Sequence, residues 1–393
     1  MRVMVAGAGI GGLCLAQGLL RAGVDVRVYE REAAADSRYQ GFRVGLGPVG
    51  LAALRECLPD RMYGLLEAVL GSISGERRVV DQHLGLVREL PRADGGAAAD
   101  RQVLRLLLLA GLGDRVEFGR AVVGYTERAD GTVEARFADG GSAVGDLLVG
   151  ADGVGSPVRR QLLPDAEVVT VPGNALLGRT PLTERFAALV PGFGTIVQGP
   201  GASMLLGRME FPRSPRLAAA ELAPEVDLPD IDSYLRWAVM LPAPLAAGSG
   251  ECADSAGSGG AGAPLPGDWA SARDGLLALV DGWHPDLVDL VRHSDVLNSS
   301  PLTVRYARAV PHWGTRRVTL LGDAIHVMPP SGGQGANTAF RDAALLCRSL
   351  AAVHRGEAEL RAAVEAYELQ MLDYGFTAVR ESLEQLPQFT PVA

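Results

Sequence analysis

Three segments of the chain gather residue types that can hold phosphate or line the rim of a ligand site. The first is Gly7-Ala8-Gly9-Ile10-Gly11-Gly12, placed between an apolar run and a helical pattern, with Glu30 eighteen residues beyond Gly12. In such a loop Gly7 allows a tight turn, Gly9 lets backbone approach a pyrophosphate, and Gly12 lets helix and strand pack closely. The unpaired N–H groups of the helix start then face negative charge, and the acid accepts from a ribose hydroxyl. A dinucleotide is the expected ligand. The alternative is an ordinary strand–helix turn with a surface glutamate. The second segment is Leu147 to Arg160, LLVGADGVGSPVRR, which sets Asp152 at the carboxyl end of a strand, with Ser156 and Pro157 opening a helix. Alone, an Asp-Gly pair is usually only a turn. The third is Arg317 to Asn337, RVTLLGDAIHVMPPSGGQGAN, where Asp323 ends another apolar run. Its Pro-Pro and Gly-Gly-x-Gly stretch reads as a loop. A flat ligand could lie on that backbone, with the following helix stabilising negative charge on it. A structural helix entry is the plainer reading.

The elements that must position these residues follow from hydrophobic period and punctuation. Residues 2–6 read as a buried strand, and a helix carrying Leu13, Leu15, Ala16, Leu19 and Leu20 follows, stopped by Gly23. Val24 to Tyr29 is a second strand ending in Glu30, and Phe42 to Leu46 a third that leads into a helix from Pro48 to Cys57. Residues 115–149 alternate like antiparallel strands, at Val116–Phe118, Val122–Arg128 and Thr132–Phe137, before Leu147–Val149 returns as a buried parallel strand. From 166 to 300 short strand-like runs (175–177, 195–198, 203–209, 237–241) predict a mostly antiparallel unit, interrupted by a low-complexity loop at 246–268. Residues 317–323 form a further buried strand and 336–385 a largely helical tail. The expected class is α/β: a Rossmann-like domain in two parts, 1–165 (with an antiparallel insertion near 115–145) and 301–393, interleaved with a sheet domain at 166–300.

Composition narrows the chemistry. All 37 basic residues among the 393 are arginine, so no lysine can form a Schiff base or complete a Walker loop. The formal charge of −9 and the absence of a basic stripe argue against nucleic acid as a partner. Cys14, Cys57, Cys252 and Cys347 have no paired spacing and read as free thiols. Three glycines break the apolar N-terminus, which argues against a signal peptide, and no run approaches the ~18 apolar residues of a membrane span. A cytoplasmic protein is expected. His284, His293 and His312 lack ligand spacing, so no metal is expected.

In this order and spacing, GAGIGG with Glu30, ADGVGSPVR and GDAIHVMPPSGGQGAN together resemble the class A flavoprotein monooxygenases of the para-hydroxybenzoate hydroxylase type. The likeness runs from the N-terminus to about residue 386, the middle matching in layout only. It implies one tightly bound FAD. Gly7, Gly9, Gly11 and Gly12 would take the pyrophosphate, Glu30 the adenosine ribose, and Arg31 the adenine surroundings. Arg101, in R-Q-V-L-R, matches the family arginine that approaches the FAD phosphates and ribose. Gly322 and Asp323 would meet the ribityl and phosphate region, and Pro330, Gly332, Gly333, Gln334, Gly335, Ala336 and Asn337 the flavin's pyrimidine edge. Asp152 belongs to the family motif serving FAD and a transient nicotinamide cofactor, with Arg159 supporting it. With lysine absent, a 2′-phosphate would fall to arginine, and Arg38 and Arg43 are the candidates, against solvated or flavin-loop roles.

The implied activity is an NAD(P)H-driven monooxygenation, in which a flavin hydroperoxide delivers one atom of O2 to a small hydrophobic, aromatic or polyketide-like metabolite. The protein would act as a monomer or homodimer. No catalytic base is evident; His326 is a weak candidate, with a structural role favoured over proton transfer. The same frame also serves epoxidases, Baeyer–Villiger enzymes, drug-inactivating monooxygenases and, with turnover lost, a non-redox flavin-holding partner. A flavin halogenase is rejected for want of its lysine and W-x-W-x-I-P segment, and a plain NAD-dependent dehydrogenase is disfavoured by the two later motifs.

Overall fold

In a computed structural model the chain is described over residues 1–35, 37, 42–171, 174–241, 269–295 and 300–386. Its centre is a five-stranded parallel sheet in the order Val318–Leu320, Leu147–Gly150, Arg2–Ala6, Asp25–Glu30, Val116–Phe118. Two interior strands are apolar without alternation because both faces are covered: all four residues of Leu147–Gly150, and Val3 to Ala6, are buried. Helix Ile10–Arg21 packs on this sheet and against helices Pro48–Cys57 and Gly335–His354. Helix Leu360–Gln385 is fastened by Tyr367, whose buried hydroxyl donates to the Leu320 carbonyl at 2.8 Å. The expected 336–385 helix is two helices, broken where Gly356 takes a φ of 76°.

Two expectations change. Val116–Phe118 does not join the antiparallel insertion; it closes the edge of the central sheet, parallel to Asp25–Glu30. The insertion itself is a three-stranded meander of Val122–Glu127, Val133–Phe137 and Ser142–Gly145. With all three residues only half-buried, Val116–Phe118 has the alternating look of an outer strand, which hid its partner.

The second sheet has eight strands, in the order Ser300–Leu302, Asn174–Pro181, Tyr234–Leu241, Ala202–Met209, Gly194–Gly199, Gly71–Asp81, Leu86–Asp100, Arg43–Leu46. All its pairings are antiparallel except Gly194–Gly199 with Gly71–Asp81. Three of its strands come from residues 43–100, ahead of the 166–300 stretch assigned to it from sequence. One face packs Leu235, Trp237 and Val239 on Leu276, Trp283, Leu287 and Leu290 from the helical segment behind it. Each such side chain contributes about 1.5–3 kcal/mol of burial. The Trp237 indole N–H, which could not be left bare there, donates to Thr180 Oγ1 at 3.2 Å. The opposite face carries Phe42, Ile73, Met209 and Tyr234 and looks toward the parallel-sheet domain. The proposed loop at 246–268 lies outside the described residues.

Candidate functional site

The glycine loop leaves the central strand through Gly7, whose φ of 108° and N–H to the Tyr29 carbonyl (2.8 Å) make the turn. A Cβ on Gly7 would collide with the Ala151 carbonyl, and one on Gly12 with the Gly7 carbonyl, so the loop, helix and neighbouring strand meet backbone to backbone. A Cβ on Gly9 would touch nothing within 4 Å. The helix starting there has no side-chain cap and no acid in its first turn, which leaves its N–H groups directed at that open side. These features fit a pyrophosphate.

Glu30 is buried, 6% exposed, at the end of the next strand. Its carboxylate accepts from Ala8 N at 2.6 Å and Glu32 N at 3.0 Å, so the acid is locked to the glycine loop. Sequence reading missed what holds the other side. Arg105, 3% exposed, donates Nε to the Ala8 carbonyl (3.0 Å) and Nη1 to the Ala35 carbonyl (2.8 Å), and pairs with Glu32 at 3.0 Å. The signal was available: Arg101 and Arg105 are one helical turn apart on Arg101–Leu109. Arg101 itself opens that helix and donates its backbone N–H to the Phe42 carbonyl at 2.7 Å, where the two sheets meet. Arg31 lies exposed at the rim.

The Asp152 loop packs on the same turn. Ser156 caps the helix Pro157–Leu162 through Arg159 N (2.8 Å). The buried Arg159 guanidinium donates to the carbonyls of Ala324 (2.8 Å) and Val154 (2.7 Å), and so ties the second motif to the third. Asp152 accepts a long bond from Val158 N, 3.4 Å, and interacts with the Ser156 hydroxyl, while its Oδ1 is buried without a well-formed hydrogen bond among the described residues. Burial raises its pKa to about 6 against the hydrogen bonds and Arg159, which pull the other way.

In the third motif Asp323 is exposed and begins the short helix Asp323–His326. His326 is fully buried, with Nε2 donating to Asp342 at 2.7 Å. Asp342 also accepts from Gly322 N at 2.8 Å and from the Tyr374 hydroxyl at 2.7 Å. Burial pulls the imidazole pKa down, but the charge and hydrogen bond of Asp342 prevail and the net shift is upward. Enclosed in this way, His326 serves to position the Gly322 turn. Asn337 is a three-way clamp: its oxygen accepts from Gly47 N (2.8 Å) and its nitrogen donates to the carbonyls of Gly45 and Gly333 (both 2.9 Å). The Pro330–Gly332 turn and Gly333 thereby meet the segment 45–47, which sequence reading had left out of the site. Gln334 turns its side chain to Glu381, 3.1 Å. Gly335 and Ala336 begin the long helix, again without a side-chain cap or an acid in the first turn.

Two candidates lie apart. Arg38 is outside the described residues. The Arg43 head does not reach the glycine loop; it stacks over the Phe193 ring at 5.2 Å, beside Gly207 on the second sheet. Of the histidines set aside from sequence, His284 caps the helix Pro285–Arg292 and His312 meets Glu368 at 2.9 Å.

A model described as FAD binding domain matches residues 279–382. The dual O-methyltransferase/FAD-dependent monooxygenase elcB of Phaeosphaeria nodorum is 33% identical over 88% of this chain, and FAD-dependent monooxygenase phnB of Penicillium herquei is 27% identical over 97%. These matches cover 39% and 89% of the two relatives, so the chain spans about two fifths of the first. A solved structure from Photorhabdus luminescens subsp. laumondii, assigned as a FAD-containing monooxygenase, is 32% identical with a TM-score of 0.79 and is covered over 100% of its length, against 99% of this chain. The chain belongs to the class A FAD-dependent monooxygenases. Its family explains why uncapped helix starts, an open glycine and a weakly compensated carboxylate surround one rim. They fit FAD, the family's cofactor. Among the described residues no helix is long and apolar enough to cross a membrane.

Proposed function

We propose that this protein is an NAD(P)H-driven FAD monooxygenase that places one atom of O2 on a small hydrophobic, aromatic or polyketide-like metabolite. The observation that carries the reading is the convergence of three separate backbone turns, at Gly7–Gly12, Ala151–Gly153 and Gly322–Asn337, on one rim. When bound there, FAD supplies the electron storage and the oxygen activation. The chain's own residues do the rest. Gly9 and the first N–H groups of Ile10–Arg21 would take the pyrophosphate, and Glu30, fixed by Ala8 and Arg105, the ribose. The start of Gly335–His354 would stabilise negative charge on the reduced ring. Asn337 and the Asp342 network hold the surrounding loops rigid. The inward face of the eight-stranded sheet, with Phe42, Tyr234 and Phe193, would receive the substrate and exclude water. An epoxidation or Baeyer–Villiger outcome would use the same frame.

The test is direct. Purified protein should be yellow with about one equivalent of flavin, and should consume NAD(P)H in an acceptor-stimulated, O2-dependent reaction. Label from heavy dioxygen should enter the product. A colourless protein that ignores added FAD would overturn the reading, and an unlabelled oxidised product would make it an oxidase.

A further inference from the structure

The two sheets are joined by one short helix. Leu86–Asp100, a strand of the eight-stranded sheet, ends at Asp100, and the helix Arg101–Leu109 starts at the next residue, so the sheet fixes where the helix begins. Asp100 is buried, and its Oδ1 caps the helix by accepting from Gln102 N (2.9 Å) and Val103 N (3.0 Å). Its Oδ2 accepts from the buried Tyr234 hydroxyl at 2.7 Å. Tyr234 opens Tyr234–Leu241, which lies four places from Leu86–Asp100 in the sheet order. In a flat sheet two such strands would stand about 19 Å apart, beyond the combined reach of the two side chains. The sheet therefore curls, with register shifts between Gly71–Asp81 and Leu86–Asp100, and the tyrosine–aspartate bond is the chord across the curl.

The same helix meets the glycine-loop rim at two further points. Arg105, one turn in and buried, donates Nε to the Ala8 carbonyl at 3.0 Å. At the far end the buried Gln17 donates its amide to the carbonyls of Leu108 (2.8 Å) and Ala110 (2.7 Å), acceptors that a last turn leaves open. Gln17 belongs to Ile10–Arg21, the helix whose first N–H groups face the phosphate side. Capping needs only one oxygen of Asp100. The second oxygen brings in the eight-stranded sheet, so that a single rigid element runs from Tyr234 to Ala8.

We propose that Tyr234 is a positioning residue for the cofactor: through Asp100 and the helix Arg101–Leu109 it sets where Arg105 holds Ala8, and so sets how tightly the glycine loop retains FAD. The inference rests on FAD lying at that loop.

The experiment is FAD release from the loaded protein, followed as the rise of flavin fluorescence on dilution, beside a urea midpoint for every variant. Tyr234→Phe should speed release about tenfold, and Arg105→Met about a hundredfold. In the double variant release should be no faster than in Arg105→Met alone, because the tyrosine acts through the arginine. Thr180→Val is the control for general loosening: Thr180 is buried on the other face of the sheet, where it donates to the Leu290 carbonyl and accepts from Trp237. It should lower the urea midpoint and leave release unchanged. Where a variant does not fold or does not retain FAD, Asp100→Ser, which keeps a capping oxygen but falls short of the tyrosine, replaces Tyr234→Phe, and Arg105→Lys replaces Arg105→Met. Unchanged release in Tyr234→Phe, effects that multiply in the double variant, or equally fast release in Thr180→Val overturns the proposal. A parent protein that holds no FAD overturns the cofactor reading instead, and shows before any variant is compared.

Discussion

The glycine-loop rim and the inward face of the eight-stranded sheet bind by different means. The rim works through backbone: Gly7, Gly9 and Gly12 set where chain can approach chain or phosphate, and helix starts supply the N–H groups. The sheet face works through side chains that strand alternation aims, and it draws on strands from 43–46, 71–100, 174–181, 194–209 and 234–241. A cofactor shared by a whole family demands one backbone shape, and that shape needs glycine at fixed spacing. A substrate face needs only projection and charge, which many sequences supply.

The sharpest way to break this contrast lies within one loop. Gly12→Ala would press a Cβ onto the Gly7 carbonyl, with no flexible atom to yield, and should cost upwards of about 3 kcal/mol, enough to lose soluble protein. Gly9→Ala, with open space around the new methyl and an ordinary φ of −73°, should leave the urea midpoint intact and yet shed FAD on gel filtration. Equal behaviour of the two variants would mean that the loop is only a tight turn.

A smaller effect tests the support behind the rim. Asp342→Ala strands Gly322 N–H, His326 and the Tyr374 hydroxyl in the interior and should cost about 2–3 kcal/mol. Because the folded pKa of His326 is raised above 6.5, its contribution is fully present below that value and lost as pH rises through the folded pKa. The gap between parent and variant in urea melts should therefore be wider at pH 5.5 than at pH 8.5. A gap independent of pH would show that the His326–Asp342 pair carries no charge linkage.

These cases also show what was legible in sequence. The parallel strands at 2–6, 147–150 and 318–320 were readable because burial on both faces erases alternation, that at 25–30 because its valines follow the helix stop at Gly23, and Gly7–Gly12 because its geometry permits few substitutes. Arg105 and Asp342 were not singled out. Each works through a partner distant in sequence, at Ala8 and at Gly322; the one-turn spacing from Arg101 marks Arg105 alone, and nothing local distinguishes Asp342 from a solvated helix residue. The strand at 116–118 was assigned to the wrong sheet because half-exposed edge strands alternate in either setting. Arg43 was seen as a cation, but its direction depends on Gly207, 164 positions away, having no side chain.

Both regions nevertheless share one mark: each holds a buried polar atom of a charged side chain without a hydrogen-bond partner among the described residues, Asp152 Oδ1 at the rim and Arg43 Nε at the sheet face. At the rim this fits a site that a bound cofactor completes. Asp152→Asn gives the smallest effect and the cleanest sign. The folded carboxyl titrates near 6 instead of 3.8, so its protonated form suits the fold; that contribution is present below pH 3.8 and is lost as pH rises through about 6. Allowing for solvent at the crevice mouth, the charged form costs about 2 kcal/mol at neutral pH. Asp152→Asn should therefore be more stable than the parent by that amount at pH 7.5 and no more stable at pH 3.5, in paired urea melts. If the asparagine variant is instead the weaker protein at pH 7.5, the carboxylate is a structural partner, and the comparison between the two regions loses its negative half.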